Sequence, residues 1–242
     1  MISSLGANAE WRSAIPIELF TSQGCNTCPP ADSILFQLSE DKSLLPLAFH
    51  VDYWNHLGWT DVFSHELFTL RQVNYARGIG SRKIYTPQVV VNGSYFLVGS
   101  DEVKIRRAIM SSRSLLDSIN MPQISFNYEN NSLRIQGIHS NYLKDLKILY
   151  VLYNPEIVTT EVMAGENRGQ TLENSYVVND LSEFLPFEVT ENEDSTISLQ
   201  LEEKPICQQH QSLALLFQAI NNGYPSTIQK AYYIPCQDLK KQ

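Results

Sequence analysis

ELFTSQGCNTCPPAD, running from Glu18 to Asp32, sets the reading of the whole chain. An apolar run, Ile15-Pro16-Ile17-Glu18-Leu19-Phe20, reads as a strand. Polar turn residues follow, then Cys25-Asn26-Thr27-Cys28, and then a helical pattern with Ile34, Leu35 and Leu38 on one face. Such a C-x-x-C lies where a strand ends and a helix begins. Unpaired N–H groups and the partial positive charge of a helix N-terminus favour thiolate over thiol there. Cys25, the outer cysteine, is expected to attack, and Cys28, one turn further in, to resolve a mixed disulfide. Pro29 and Pro30 suit the first turn, whose N–H groups lack intrahelical partners. Asn26 or Thr27 is expected to supply the N-cap.

Working outward, Leu44 to Val51 reads as a buried parallel strand, completing a strand–helix–strand unit. Asp52 to Asp61 (DYWNHLGWTD) is dense in aromatics and turn formers and reads as a loop. A helix is expected over 65–77, with Leu67, Leu70, Val73 and Tyr75-Ala76 inward and Gly78 and Gly80 ending it. Pro87 precedes Gln88-Val89-Val90-Val91, a strand start where a missing N–H is tolerated. Asn92-Gly93 marks a hairpin to Ser94–Val98, and Asp101 caps a helix over Val103, Ile105, Ala108 and Ile109.

Near Met121-Pro122 the texture changes to short strand-like runs: 124–128, 133–139, 146–153, 196–201, 213–220 and 231–234. The reading is an α/β domain over 1–120, with a helical insertion at about 52–80, and a β-sandwich-like antiparallel domain over 121–242.

Composition narrows the function. Of 242 residues 43% are hydrophobic and only 18% charged, which describes a folded chain with a core. A net charge of -8 argues against a nucleic-acid or anionic-membrane surface. No apolar run approaches the ~18 residues a membrane helix requires. Calcium loops, G-x-S-x-G elbows and phosphate-cradling glycine loops are absent from the sequence, so no cofactor is expected. MISSLGANAEW lacks the cationic segment and apolar core of a signal peptide, while Ala7-Asn8-Ala9 resembles a cleavage site. An export signal trimmed upstream and an ordinary polar start both remain open. Cys207 and Cys236 complete an even set of four cysteines. They read either as a structural disulfide, which favours the periplasm or exterior, or as buried free thiols.

The strand and helix order, the C-x-x-C and Thr86-Pro87 together resemble the thioredoxin superfamily. More closely, ELFTSQGCxxCPPAD, AFHVDYWxxLGW, YTPQVVVNG and the later ENRGQTL (Glu166 to Leu172) resemble a thioredoxin-like family of bacterial secreted proteins of unknown function. The resemblance implies a cis bond at Pro87, a substrate-backbone contact at Thr86, and export to the periplasm or beyond. It also implies that Glu18, the one acidic residue in its strand, takes the resolving thiol's proton. Read from the residues alone, Glu18 is equally a group facing solvent or binding a loop N–H.

The expected function is thiol–disulfide exchange on protein or peptide cysteines. Cys25, Cys28 and Glu18 would be catalytic, with Thr86, Pro87 and Trp54 at the substrate. Tyr53, Trp54 and Trp59 form either a groove wall or core. A competing reading is a zinc or copper module holding the metal through Cys25, Cys28, His50 and His56, a ligand set such metals accept. A third is a scaffold whose disulfide is permanent. Residues 121–242 are expected to recognise a partner or to assist a homodimer.

Overall fold

The computed structural model describes residues 11–118, 124–129, 132–139, 145–183, 189–191, 196–200 and 210–239. The elements are β1 (Arg12–Ser13), β2 (Ile15–Thr21), α1 (Pro29–Leu38), β3 (Leu44–His50), a 3-10 turn (Asn55–Leu57), α2 (Glu66–Gly78), β4 (Gln88–Val91), β5 (Tyr95–Val98) and α3 (Glu102–Ser118). There follow β6 (Ser125–Glu129), β7 (Ser132–His139), β8 (Leu146–Asn154), β9 (Val158–Glu161), β10 (Thr171–Asn174), β11 (Val177–Glu183), β12 (Val189–Glu191), β13 (Thr196–Gln200), β14 (Ser212–Asn221), β15 (Tyr224–Pro235) and α4 (Cys236–Leu239).

β2 and β3 are parallel neighbours joined through α1, and β4 and β5 continue the sheet antiparallel. Every residue of β2 and β3 is buried, as strands covered on both faces require. The β4–β5 turn places Asn92 and Gly93 at φ 51° and 66°, the pair of positive angles that favours Asn-Gly in a two-residue hairpin.

The change of texture near residue 120 is not a break in this sheet. Nine strands run in the order β1-β15-β14-β8-β11-β3-β2-β4-β5, and β11 joins the second half to β3 through a parallel bridge at Val177 and Ala48. A separate four-stranded sheet, β12-β13-β7-β6, covers one end. Ile124 and Ile135 pack there against Ile148, Tyr150, Leu152, Leu213, Leu215 and Phe217. Alternate residues of the same strands, Leu149, Val151, Ala214 and Leu216, face the opposite way and share a core with Phe20, Phe49, Phe68 and Tyr75.

α2 lies on that second face and packs against both β3 and β15, one strand from each half of the chain. Its inward residues are Phe68, Arg71, Gln72, Tyr75 and Ala76. Leu67 and Leu70, expected inside from their spacing, are 41% and 48% exposed. The reason is Glu18. On β2, Ile17 and Leu19 face α1 and α3, which turns the fully buried Glu18 toward α2. A carboxylate taken out of water needs a partnered positive charge. Arg71 donates Nε and Nη2 to both Glu18 oxygens, and Tyr75 donates its hydroxyl at 2.7 Å. From β14, Gln218 accepts from Arg71 and donates to Tyr75. The polar stripe of α2 therefore faces inward.

Candidate functional site

The strand β2 ends at Thr21, and Ser22-Gln23-Gly24 carries the chain to the dithiol. Cys25 and Cys28 are joined as a disulfide with Cα atoms 5.5 Å apart. Cys28 is the N-cap of α1 and makes no side-chain cap bond, in place of the cap expected from Asn26 or Thr27. Pro29 and Pro30 explain this, since they present no N–H for a cap to satisfy. The first amides that can bond, Ala31 and Asp32, donate to the Cys28 carbonyl at 2.8 and 3.1 Å. Thr27 places its hydroxyl 3.4 Å from the Cys25 sulfur.

The Thr86–Pro87 peptide is cis. Trp54 donates its indole N–H to the Thr86 hydroxyl at 2.7 Å, and its Cβ lies against Gly24, the residue before Cys25. Trp54, Thr86 and the dithiol loop thus form one half-buried assembly. Pro87 meets Ala31 of α1 and Leu19 of β2 around Gly99. A Cβ on Gly99 would stand 2.8 Å from Pro87 Cβ and 3.0 Å from Ala31 Cβ. Neither neighbour is a flexible tip. Gly99→Ala is expected to cost about 1–3 kcal/mol by overpacking, read as a lowered urea midpoint; an unchanged midpoint would show that Pro87 is free to shift.

Glu18 is not beside the dithiol. It lies on the α2 face of the sheet, held by Arg71 and Tyr75, while α1 occupies the other face. Beneath α1 stands a different set of ionisable groups. Asp32 lies one turn beyond Cys28, the spacing at which side chains share a helix face, and accepts from the Thr21 hydroxyl at 3.1 Å. Burial pushes its carboxyl up to about 7, against the opposing pull of His50 and Thr21. His50, at the end of β3, is fully buried and directs Nδ1 at Asp61 across 2.7 Å. Burial works against a charged imidazole, but Asp61 and then Asp32 outweigh it and hold the His50 pKa above its usual value. Asp61 is held low despite burial by His50 and by the amides of Gln23 and Phe63. His50 Nε2 has no hydrogen-bond partner among the described residues.

The metal set read from the sequence does not assemble. His50 is committed to Asp61, and His56 is exposed with Nδ1 2.7 Å from the Tyr53 carbonyl. Among the described residues no cluster of three or more His, Cys, Asp or Glu is placed to hold a metal. Cys236 is buried at the start of α4, and Cys207, its expected partner, lies outside the described residues. No helix among the described residues is long and apolar enough to cross a membrane.

The second half of the chain also reaches the dithiol. The β9–β10 pair projects a loop whose Asn167 donates Nδ2 to the carbonyls of Gln23 and Cys25, each at 2.9 Å. Glu166 accepts from the Asn26 amide at 3.2 Å. Both cysteines are at 0% exposure. Beside them, a cavity of about 520 Å³ separates Pro29, Asp32 and Phe36 of α1 from Leu172, Glu173 and Asn174 of β10. Asp32 was inside the opening motif and carried no local sign of its role. Its surroundings include Thr21 and Asn174, the second 142 residues away, which no local pattern announces.

A disulfide of C-x-x-C spacing at the mouth of a helix, on a mixed nine-stranded sheet, defines the class of this protein. A family model described as protein of unknown function (DUF1223) matches residues 17–218, and the chain belongs to that family. Among solved structures, the chain is similar to a structural-genomics X-ray structure of a protein from Agrobacterium tumefaciens. Identity is 27% with TM-score 0.71, covering 93% of this chain and 95% of that one. It is also similar to HBP35 of Porphyromonas gingivalis, at 12% identity and TM-score 0.64, covering 95% of this chain and 77% of that one. At that identity the second likeness speaks to fold alone. No curated protein matches the sequence.

Proposed function

We propose that this protein is a thioredoxin-like thiol–disulfide oxidoreductase acting on protein or peptide cysteines. The observation that carries the reading is the Cys25–Cys28 disulfide at the N-terminus of α1, one turn from a carboxyl that titrates near neutrality. In the oxidised form, a substrate thiolate attacks the Cys25 sulfur and Cys28 leaves as a thiolate. Asp32, as the neutral acid, gives Cys28 its proton. A second substrate thiolate then attacks the substrate sulfur of the mixed disulfide and releases Cys25. Two electrons pass from the substrate dithiol to the pair, and one new disulfide forms in the substrate. Run backwards, Cys25 attacks a substrate disulfide and Asp32 carboxylate takes the Cys28 proton before Cys28 resolves. Asp32 thus fills the proton-transfer role that the sequence resemblance placed on Glu18. Thr86, Pro87 and Trp54 frame the approach to Cys25. Work in an oxidising compartment, the periplasm or outside the cell, goes with this reading.

The test is the reduction potential of Cys25–Cys28 in glutathione buffers, with Cys207 and Cys236 followed separately by mass. A working pair is expected between roughly -120 and -270 mV, whereas a value below about -300 mV marks a permanent bridge and ends the exchange reading. Cys28→Ser, which leaves Cys25 able to attack and unable to be resolved, is expected to accumulate mixed disulfides.

A further inference from the structure

A disulfide that exchanges must be met by an incoming sulfur, yet neither Cys25 nor Cys28 has any exposed surface. Against the backbone on either side of Cys25 lies the loop between β9 and β10. Asn167, itself fully buried, spans the carbonyls on either side of Gly24, at Gln23 and Cys25. Glu166 takes the amide of Asn26. Gly165 lies near Trp59 and Gly24, a Cβ there falling in ordinary contact at 3.4 Å from the Trp59 Cβ and 3.8 Å from the Gly24 Cα. The loop therefore gives the backbone around Cys25 a donor and an acceptor, which is what a docked, extended polypeptide would supply.

We infer that residues 163–169 are an autoinhibitory strap occupying the substrate's place beside Cys25, and that exchange requires the strap to lift. This rests on the exchange reading above and assigns its control. The incoming substrate is an extended cysteine-bearing segment whose own amide and carbonyl groups replace those of Asn167 and Glu166. The construction allows such movement. β9 and β10 form a two-stranded sheet of their own, outside the hydrogen bonding of the nine-stranded sheet. Val162 and Leu172 are buried and seat the base of the hairpin, while Met163, next to Val162, is 63% exposed. Gly165 and Gly169 bracket the tip at φ 78° and 79°, angles that glycine adopts without the steric cost other residues bear. Asn167 is held through its donor alone, since its Oδ1 has no partner among the described residues.

The experiment is the rate at which dithiothreitol reduces Cys25–Cys28 in the oxidised full chain, followed by alkylation and mass. Asn167→Ala, which removes two hydrogen bonds, is expected to raise that rate about tenfold or more. Glu166→Ala, at an exposed side chain, is expected to raise it about two- to threefold. A folded Asn167→Ala with the wild-type rate overturns the strap. Should Asn167→Ala fail to fold, an unchanged rate in Glu166→Ala overturns it instead. The rate with a small reductant needs no natural substrate, and the potential is measured separately. A structural potential together with accelerated reduction would leave the cover standing and remove exchange; a working potential with unchanged rates would do the reverse.

Discussion

Arg71→Ala is expected to be the most damaging single substitution, lowering stability by about 3–5 kcal/mol, the usual cost of stranding one partner of a buried ion pair. Glu18 has no exposed surface, and among the described residues its counter-charge is the Arg71 guanidinium. Loss of Arg71 also leaves Gln218 Oε1 without its donor and removes one of the bonds to the Tyr75 hydroxyl. Urea unfolding followed by circular dichroism checks the figure, the midpoint falling with little change in slope. Arg71→Met combined with Glu18→Gln is expected to recover part of the loss, because no net charge is then left buried. A deficit under about 1 kcal/mol for Arg71→Ala would mean that solvent already reaches Glu18.

Asp32→Asn is expected to slow exchange on the order of a hundredfold, the lower range for a positioned proton-transfer group. Asparagine keeps an oxygen for the Thr21 hydroxyl and removes only the titration. The pH dependence distinguishes this from damage to the fold. For Cys28 acting as resolving nucleophile, the wild-type rate should rise through about pH 7 as Asp32 becomes a carboxylate able to accept the proton. The Asp32→Asn profile should lack that inflection. The groups facing Asp32 are Thr21, His50, Asp61 and Asn174, and none is altered by the change.

The same titration affects stability with a definite sign. A carboxyl whose pKa is raised on folding contributes stability that is fully present below the unfolded value and is lost as pH rises through the folded value. For Asp32 the loss falls between about pH 4 and about pH 7, the upper end being its folded pKa. His50, also raised, adds a loss of the same sign above its ordinary value, whereas Asp61, held low, contributes stability that is lost only on acidification. Denaturation at pH 5 and pH 8 should show the wild type weaker at pH 8, with Asp32→Asn removing part of the difference. An equal difference in both proteins would mean that Asp32 is ionised in the folded state throughout.

Some of this architecture is written in short-range pattern. The apolar runs at 15–20 and 44–50 are strands buried on both faces, and the two prolines after Cys28 open α1. Asn92-Gly93 makes its hairpin because both residues tolerate positive φ. These features depend on neighbours within a few residues, so the order of amino acids carries them.

Other features depend on partners that no local pattern names. The helical spacing of Leu67 and Leu70 pointed them inward, yet the buried carboxylate of Glu18, 53 residues from Arg71, turned the polar stripe of α2 to the core. Residues 121–242 read as a separate β domain because strands announce their alternation and not their neighbours; β11 pairs with β3 and carries one sheet across the two halves. Asp32 became a near-neutral acid only through desolvation in the folded chain, against the lowering pull of Thr21 from β2, His50 from β3 and Asn174 from β10. The sequence by itself determined that two cysteines stand at the mouth of a helix. The tertiary structure alone decided that Asn167, 142 residues beyond Cys25, closes over them, because a hydrogen bond across that span exists only once the chain has folded.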